Sequence, residues 1–159
     1  MALATFGAGC FWGVEYFFRQ VNGVIDCTCG YMGGKDLFTR YQDVKQGFTG
    51  HAEVVQVSFD PSVVSYEELL AVFWQNHNPT TLNQQGGDIG TQYRSTIFFH
   101  DKLQKQQAED SKLALIKSQK WGSRAIVTEI VPCQQFHQAE EYHQDYLAKN
   151  NLPSCHISY

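Results

Sequence analysis

The stretch "AGCFWGVE" at residues 8–15 sets one cysteine, Cys10, between a glycine and two large aromatics, Phe11 and Trp12. Cysteine reacts as its thiolate, and a thiolate is favoured where backbone N–H groups and the helix dipole converge at the start of a helix. The flanking sequence predicts such a place. "ATFGAG" is short and β-compatible, while Val14, Phe17, Phe18 and Val21 stand at i, i+3, i+4 and i+7, one face of a helix stopped at Asn22-Gly23. On these residues alone two readings stand side by side. Cys10 is a nucleophile with Phe11 and Trp12 walling a small apolar slot over its sulfur, or it is an inert buried thiol beside core aromatics.

Other chemistries lack their residues. A dinucleotide fingerprint would need Gly at position 12, where the indole of Trp12 would block close approach of a pyrophosphate. Phosphate-binding P-loops and Gly-x-Ser-x-Gly elbows do not occur. Cys27-x-Cys29 lacks the two-residue spacer and second pair of a zinc site. Glu140 and His143, at i and i+3 of an expected helix, lack the second copy and further glutamates of a di-iron site and read as a solvated polar face. No bound metal or cofactor is expected.

The elements that must position Cys10 follow from periodicity. "VIDCTCGY" and "HAEVVQVSFD" read as strands, and 33–50 as a long glycine- and aromatic-rich loop. A helix begins at a Ser65 cap with Glu68 three residues on, and a second long loop covers 78–95. "STIFFH", a charged helix capped by Asp101, the strand "AIVTEIV" and a helix over 138–150 complete the order β-α-β-β-α-β-α-β-α. This predicts an α+β fold: a two-layer sandwich of ferredoxin-like type, a mixed sheet with helices packed on it.

At 159 residues the chain is expected to form one catalytic domain, 1–159, with 151–159 as a flexible C-terminal tail. Twelve Lys and Arg against 16 Asp and Glu give a net charge of -4 without basic runs, which offers no footprint for nucleic acid or anionic membrane. No apolar run reaches the ~18 residues of a membrane span, and no positive region precedes the first apolar residues, so a cytoplasmic monomer is expected. The five cysteines are odd in number and irregular in spacing, unlike a secreted disulfide framework.

Five ordered blocks narrow this further: "GCFWGVE" at 9–15, "GYMGG" at 30–34, "YQDVKQGFTGHAEVVQV" at 41–57, "QGGDIGTQYRS" at 85–95 and "AEEYHQDYLAKN" at 139–150. Together they resemble the peptide methionine sulfoxide reductase A family along essentially the whole chain. The resemblance implies thiol-dependent reduction of methionine S-sulfoxide, free or in proteins, to methionine. By the same resemblance Cys10 matches the nucleophile, Phe11 and Trp12 the pocket for the substrate methyl group, and Glu53 the acid that protonates the sulfoxide oxygen. Tyr41 and Tyr93 match hydroxyls that bind that oxygen, and Asp88 a supporting polar residue.

Such roles are chemically coherent. A sulfoxide oxygen leaves poorly until protonated, and burial keeps a carboxyl protonated for general-acid work. A slot for one methyl selects one epimer, in line with the division of labour between reductases. The sulfenic acid left on Cys10 condenses with a second thiol. The resemblance places that thiol at Cys155, with Cys133 as the fallback, and the disulfide is reduced from outside by thioredoxin or another dithiol. Cys27, Cys29, Met32 and Cys133 depart from the family pattern and read as structural. A non-catalytic methionine sulfoxide sensor would not need both Cys10 and Glu53. A general thiol oxidoreductase would show Cys-x-x-Cys, which is missing.

Overall fold

The computed structural model describes residues 1–35, 40–47 and 49–152. In chain order the elements are β1 (Ala2–Ala8), α1 (Phe11–Arg19), β2 (Val24–Met32), α2 (Tyr41–Lys45), β3 (Ala52–Phe59) and α3 (Tyr66–Gln75). They continue with β4 (Gln84–Gln85), β5 (Asp88–Ile89), β6 (Ser95–Phe99), α4 (Lys102–Lys117), β7 (Glu129–Pro132), β8 (His137–Gln138) and α5 (Tyr146–Lys149). Six strands form one sheet in the order β7-β6-β1-β3-β2-β8, antiparallel except for the parallel pair β6 and β7. The fold is α+β with a mixed sheet and helices, as expected.

Strand periodicity divides the interior into two cores. Along β3, Val55, Val57 and Phe59 face the larger cluster, whereas Ala52 and Val54 face a smaller one with Met32 and Phe98. The larger cluster contains the buried faces of α1 and α3. Phe6 of β1 stacks there on Phe18 at 4.9 Å and on Phe73 at 5.2 Å. Both forecast caps are present. Ser65 and Glu68 form the reciprocal capping box at the start of α3, and Asp101 accepts the Gln104 N–H at the start of α4.

Three expectations are corrected. The forecast strand at 125–131 is confined to Glu129–Pro132. The two long loops hold short elements, α2 in the first and the β4–β5 hairpin in the second. The helix expected over 138–150 is broken into a 3-10 turn at Glu141–His143 and the four-residue α5. The break has a non-local cause. Asp145 adopts left-handed φ of 55°, and its N–H donates to the Glu15 carboxylate on α1 at 2.5 Å. Gln144 turns inward, accepts the Cys29 N–H at 2.8 Å and donates to the carbonyls of Cys29 and Ala139, both at 3.1 Å. Helical periodicity cannot anticipate side chains that bond to a strand distant in sequence.

Candidate active site

β1 ends at Ala8, and Gly9, at φ 96°, turns the chain into α1 in a conformation open to glycine and costly for other residues. Cys10 is thereby the N-cap of α1. Its carbonyl accepts the N–H groups of Gly13 at 3.2 Å and Val14 at 3.4 Å, and the residue is half-buried. The residue thus stands at the positive end of a nine-residue helix.

Glu53 reaches the same point from the sheet. It pairs with Tyr31 across β2 and β3 and is only 1 % exposed. Its Oε1 accepts the N–H of Phe11 at 3.2 Å, so the carboxyl is fixed to the residue that follows Cys10. Phe11 is fully buried, with its ring 5.6 Å from Tyr31, 5.2 Å from His143 and 6.1 Å from Tyr41. Trp12 is half-buried and stacks on Tyr146 at 3.9 Å and 11°, with Tyr41 at 6.1 Å.

The two phenols of the motif share the neighbourhood of Cys10 and Glu53. Burial raises the Tyr41 pKa, and the charges of Glu53, Cys10 and Asp88 raise it further. Tyr93 is pushed up to about 12, by burial first and then by Glu53, Asp88 and Cys10. Both hydroxyls therefore keep their protons at neutral pH and remain donors. Asp88 lies exposed on β5 at the edge of this group. Gln92 ties the two tyrosine-bearing segments together: its Nε2 donates to the Lys45 carbonyl at the end of α2 at 2.9 Å. Arg94 braces the Tyr93 turn by donating to Glu129 at 2.8 Å and to the Gly50 carbonyl at 3.1 Å.

Sequence reasoning missed three residues here. His143, read as part of a solvated polar face, is 1 % exposed and accepts the Trp12 indole N–H on Nδ1 at 2.9 Å. Glu140 accepts the hydroxyls of Tyr31 at 3.2 Å and Tyr142 at 3.1 Å, and the backbone N–H of Tyr41 at 3.3 Å. Burial pushes the Glu140 pKa up, but these hydrogen bonds outweigh it and hold the pKa below the usual range. Tyr31, fully buried, links Glu53 to Glu140 through the sheet. The available signal for His143 and Glu140 was their place in the block at 139–150, which periodicity assigned to solvent.

The remaining cysteines separate by location. Burial pushes Cys27 up to about 12 and Cys29 and Cys133 above the ordinary thiol value, so all three hold their protons. Cys29 sits beneath α1, with its thiol 3.7 Å from the Phe11 carbonyl. Cys133 packs on Met32 in the smaller core, across the sheet from α1, with its sulfur 3.8 Å from that of Met32. Cys155 lies outside the described residues. Among the described residues no cluster of three His, Cys, Asp or Glu could hold a metal ion, and no helix is long and apolar enough to cross a membrane.

Comparison with known proteins gives a consistent result. The family described as "Peptide methionine sulfoxide reductase" matches residues 2–159. The methionine sulfoxide reductase MsrA of Methanothermobacter thermautotrophicus is 55 % identical over 154 residues, which is 97 % of this chain and 90 % of that protein. The Sulfolobus acidocaldarius MsrA is 47 % identical over 158 residues, 99 % of this chain and 88 % of its own. The reduced form of Mxr1 from Saccharomyces cerevisiae superposes with a TM-score of 0.89 at 40 % identity, covering 96 % of this chain and 87 % of that one. Mxr1 in complex with Trx2 gives 0.66 at 28 % identity, covering 99 % and 88 %.

Proposed function

The chain belongs to the peptide methionine sulfoxide reductase family and reduces methionine sulfoxide at the expense of a thiol, and from that premise we propose how its residues divide the work. Cys10, as the thiolate favoured at the start of α1, attacks the sulfoxide sulfur. Glu53 gives a proton to the sulfoxide oxygen, while Tyr41 and Tyr93 hydrogen-bond that oxygen and Asp88 supports them. Attack joins the two sulfurs, the protonated oxygen leaves the methionine sulfur as water, and a water molecule then adds to the Cys10 sulfur and breaks the sulfur–sulfur bond, so that methionine departs with the two electrons and Cys10 is left as a sulfenic acid. Phe11 and Trp12 hold the methyl group, so the S epimer alone presents its oxygen to Glu53.

The hydrogen bond from the Phe11 N–H to Glu53 carries this reading, because it sets an acid beside the nucleophile. One N–H donor favours the charged carboxylate, whereas 1 % exposure among aromatic rings favours the neutral acid, and the proposed role requires the second to prevail.

Cys155 then condenses with the sulfenic acid, releasing water and forming a disulfide. Thioredoxin supplies the two electrons that restore both thiols, a partner supported by the solved complex of Mxr1 with Trx2. Cys133 is the poorer resolving thiol, since the sheet stands between it and α1. No bound cofactor enters this cycle. We also read β6-β1-β3-β2, with α1 following β1 and α3 following β3, as a ferredoxin-like sandwich to which the other strands are added.

The test supplies each epimer of a methionine sulfoxide peptide to the chain and to its Cys155→Ser variant, with dithiothreitol or thioredoxin, and measures methionine. The S epimer alone should turn over, and the variant should make one equivalent of methionine yet fail to cycle with thioredoxin. Equal turnover of both epimers would overturn the slot, and normal thioredoxin cycling of the variant would overturn the role of Cys155.

A further inference from the structure

We propose that His143 is a positioning residue for the methyl slot: its neutral imidazole holds the Trp12 indole by accepting the indole N–H, and its protonation releases that wall. The inference rests on the reading of Trp12 as a wall of the slot.

The indole nitrogen is a donor only, so its 2.9 Å contact with His143 Nδ1 requires that Nδ1 carry no proton. The single proton of the neutral ring then sits on Nε2, which is buried with no partner among the described residues. Trp12 is thereby held in two ways. Stacking on Tyr146 at 3.9 Å and 11° fixes the tilt of the indole, and the bond to His143 fixes its rotation within that plane.

The groups around the imidazole come from every side. α1 presents Phe11 and Trp12, α2 presents Tyr41 with its ring at 4.3 Å, and its own turn presents Tyr142 at 4.1 Å and the carboxylate of Glu140. α5 adds Tyr146 on Trp12. Glu140 favours the imidazolium, but burial opposes it more strongly and holds the His143 pKa below the usual histidine value. The bond is therefore intact at neutral pH. Once protonated, His143 would present an N–H to the indole N–H, and two donors cannot bond. Acidification should thus loosen substrate binding.

Three indole N–H signals are expected from Trp12, Trp74 and Trp121 in the nitrogen-15-labelled full chain, and Trp12→Phe assigns the relevant one. The Trp12 signal should move as pH falls through the titration of His143. It should be insensitive to pH in His143→Asn, whose carbonyl oxygen takes the place of Nδ1, and displaced at every pH in His143→Leu. In turnover of the S-sulfoxide peptide, His143→Leu should raise KM about tenfold with kcat largely retained, the mark of lost uniform binding, and His143→Asn should recover most of that rise. A Trp12 signal unmoved by both pH and His143→Leu would overturn the bond. A kcat loss as large as the KM effect, or no recovery in His143→Asn, would overturn the positioning role. If the wild-type chain lacked S-epimer turnover, the assigned roles would fall while the indole signals still decided the bond.

Discussion

The two sides of the site are built by different means. Cys10 and Glu53 stand on regular elements: one caps a nine-residue helix, and the other is held on β3 in register with Tyr31 of β2. The outer wall, residues 139–149, holds only a 3-10 turn and the four-residue α5, and it hangs on side chains. Gln144 clamps the backbone of Cys29, Glu15 accepts the Asp145 N–H, and His143 takes the Trp12 indole. The proposed attacker and acid thus inherit their geometry from the ladder and the helix, while the proposed methyl slot inherits its geometry from a few removable contacts. In that reading, rigidity is placed where a reacting proton and electron pair must be aligned, and adjustability where a peptide must enter.

The comparison breaks most sharply if chemistry and wall prove inseparable. Glu53→Gln preserves shape and the bond to the Phe11 N–H but removes the acidic proton. It should slow sulfoxide reduction about 10²–10⁴-fold in single-turnover assays, with the melting temperature nearly unchanged. An unaltered rate would remove Glu53 from the chemistry and leave the ladder merely structural.

On the other side, Gln144→Ala removes three hydrogen bonds to Cys29 and Ala139. The cost should be about 1–3 kcal/mol, felt locally. Hydrogen exchange should accelerate across 139–149 while the β2–β3 ladder stays protected, and KM should rise more than kcat falls. Equal loss of protection in both regions would show that the wall and the sheet open as one unit.

The smallest effect concerns pH. Burial lowers the folded pKa of His143, so below the ordinary value of ~6.5 the unfolded chain binds a proton that the folded chain refuses. Stability from this group is present above that value and declines as pH falls below it. Glu15 has the opposite sign, because burial raises its pKa and its contribution weakens as pH rises. The drop in melting temperature between pH 7.5 and 5.5 should therefore be smaller in His143→Asn than in the wild type.

The same division governs what was legible in the sequence. The α1 stripe, the Ser65 and Asp101 caps and the strand β3 are local patterns, and they appear where expected. Cys10, Phe11, Trp12 and Glu53 carry no local signal that separates function from core. Only their place in ordered blocks suggested roles for them, and the structure brings Glu53 to the residue after Cys10. The helix forecast at 138–150 failed because its residues obey distant partners. His143 looks solvent-facing by periodicity, yet it is fastened to α1, and Gln144 beside it is fastened to β2. Interactions spanning more than a hundred residues leave no trace in a short window of sequence.

Gln144 has one more consequence. A protein that handles damaged polypeptides meets exposed, strand-prone chains throughout its working life, and an open sheet edge would recruit them into intermolecular pairing. β8 is only two residues long and covers β2 at Gly30 and Tyr31 alone. At Cys29 the Ala139 N–H and the Gln144 amide occupy the outward-facing N–H and C=O that a foreign strand would need. A single carboxamide thereby acts as a counterfeit strand residue, extending the cover of the β2 edge by one residue beyond β8 without lengthening the sheet.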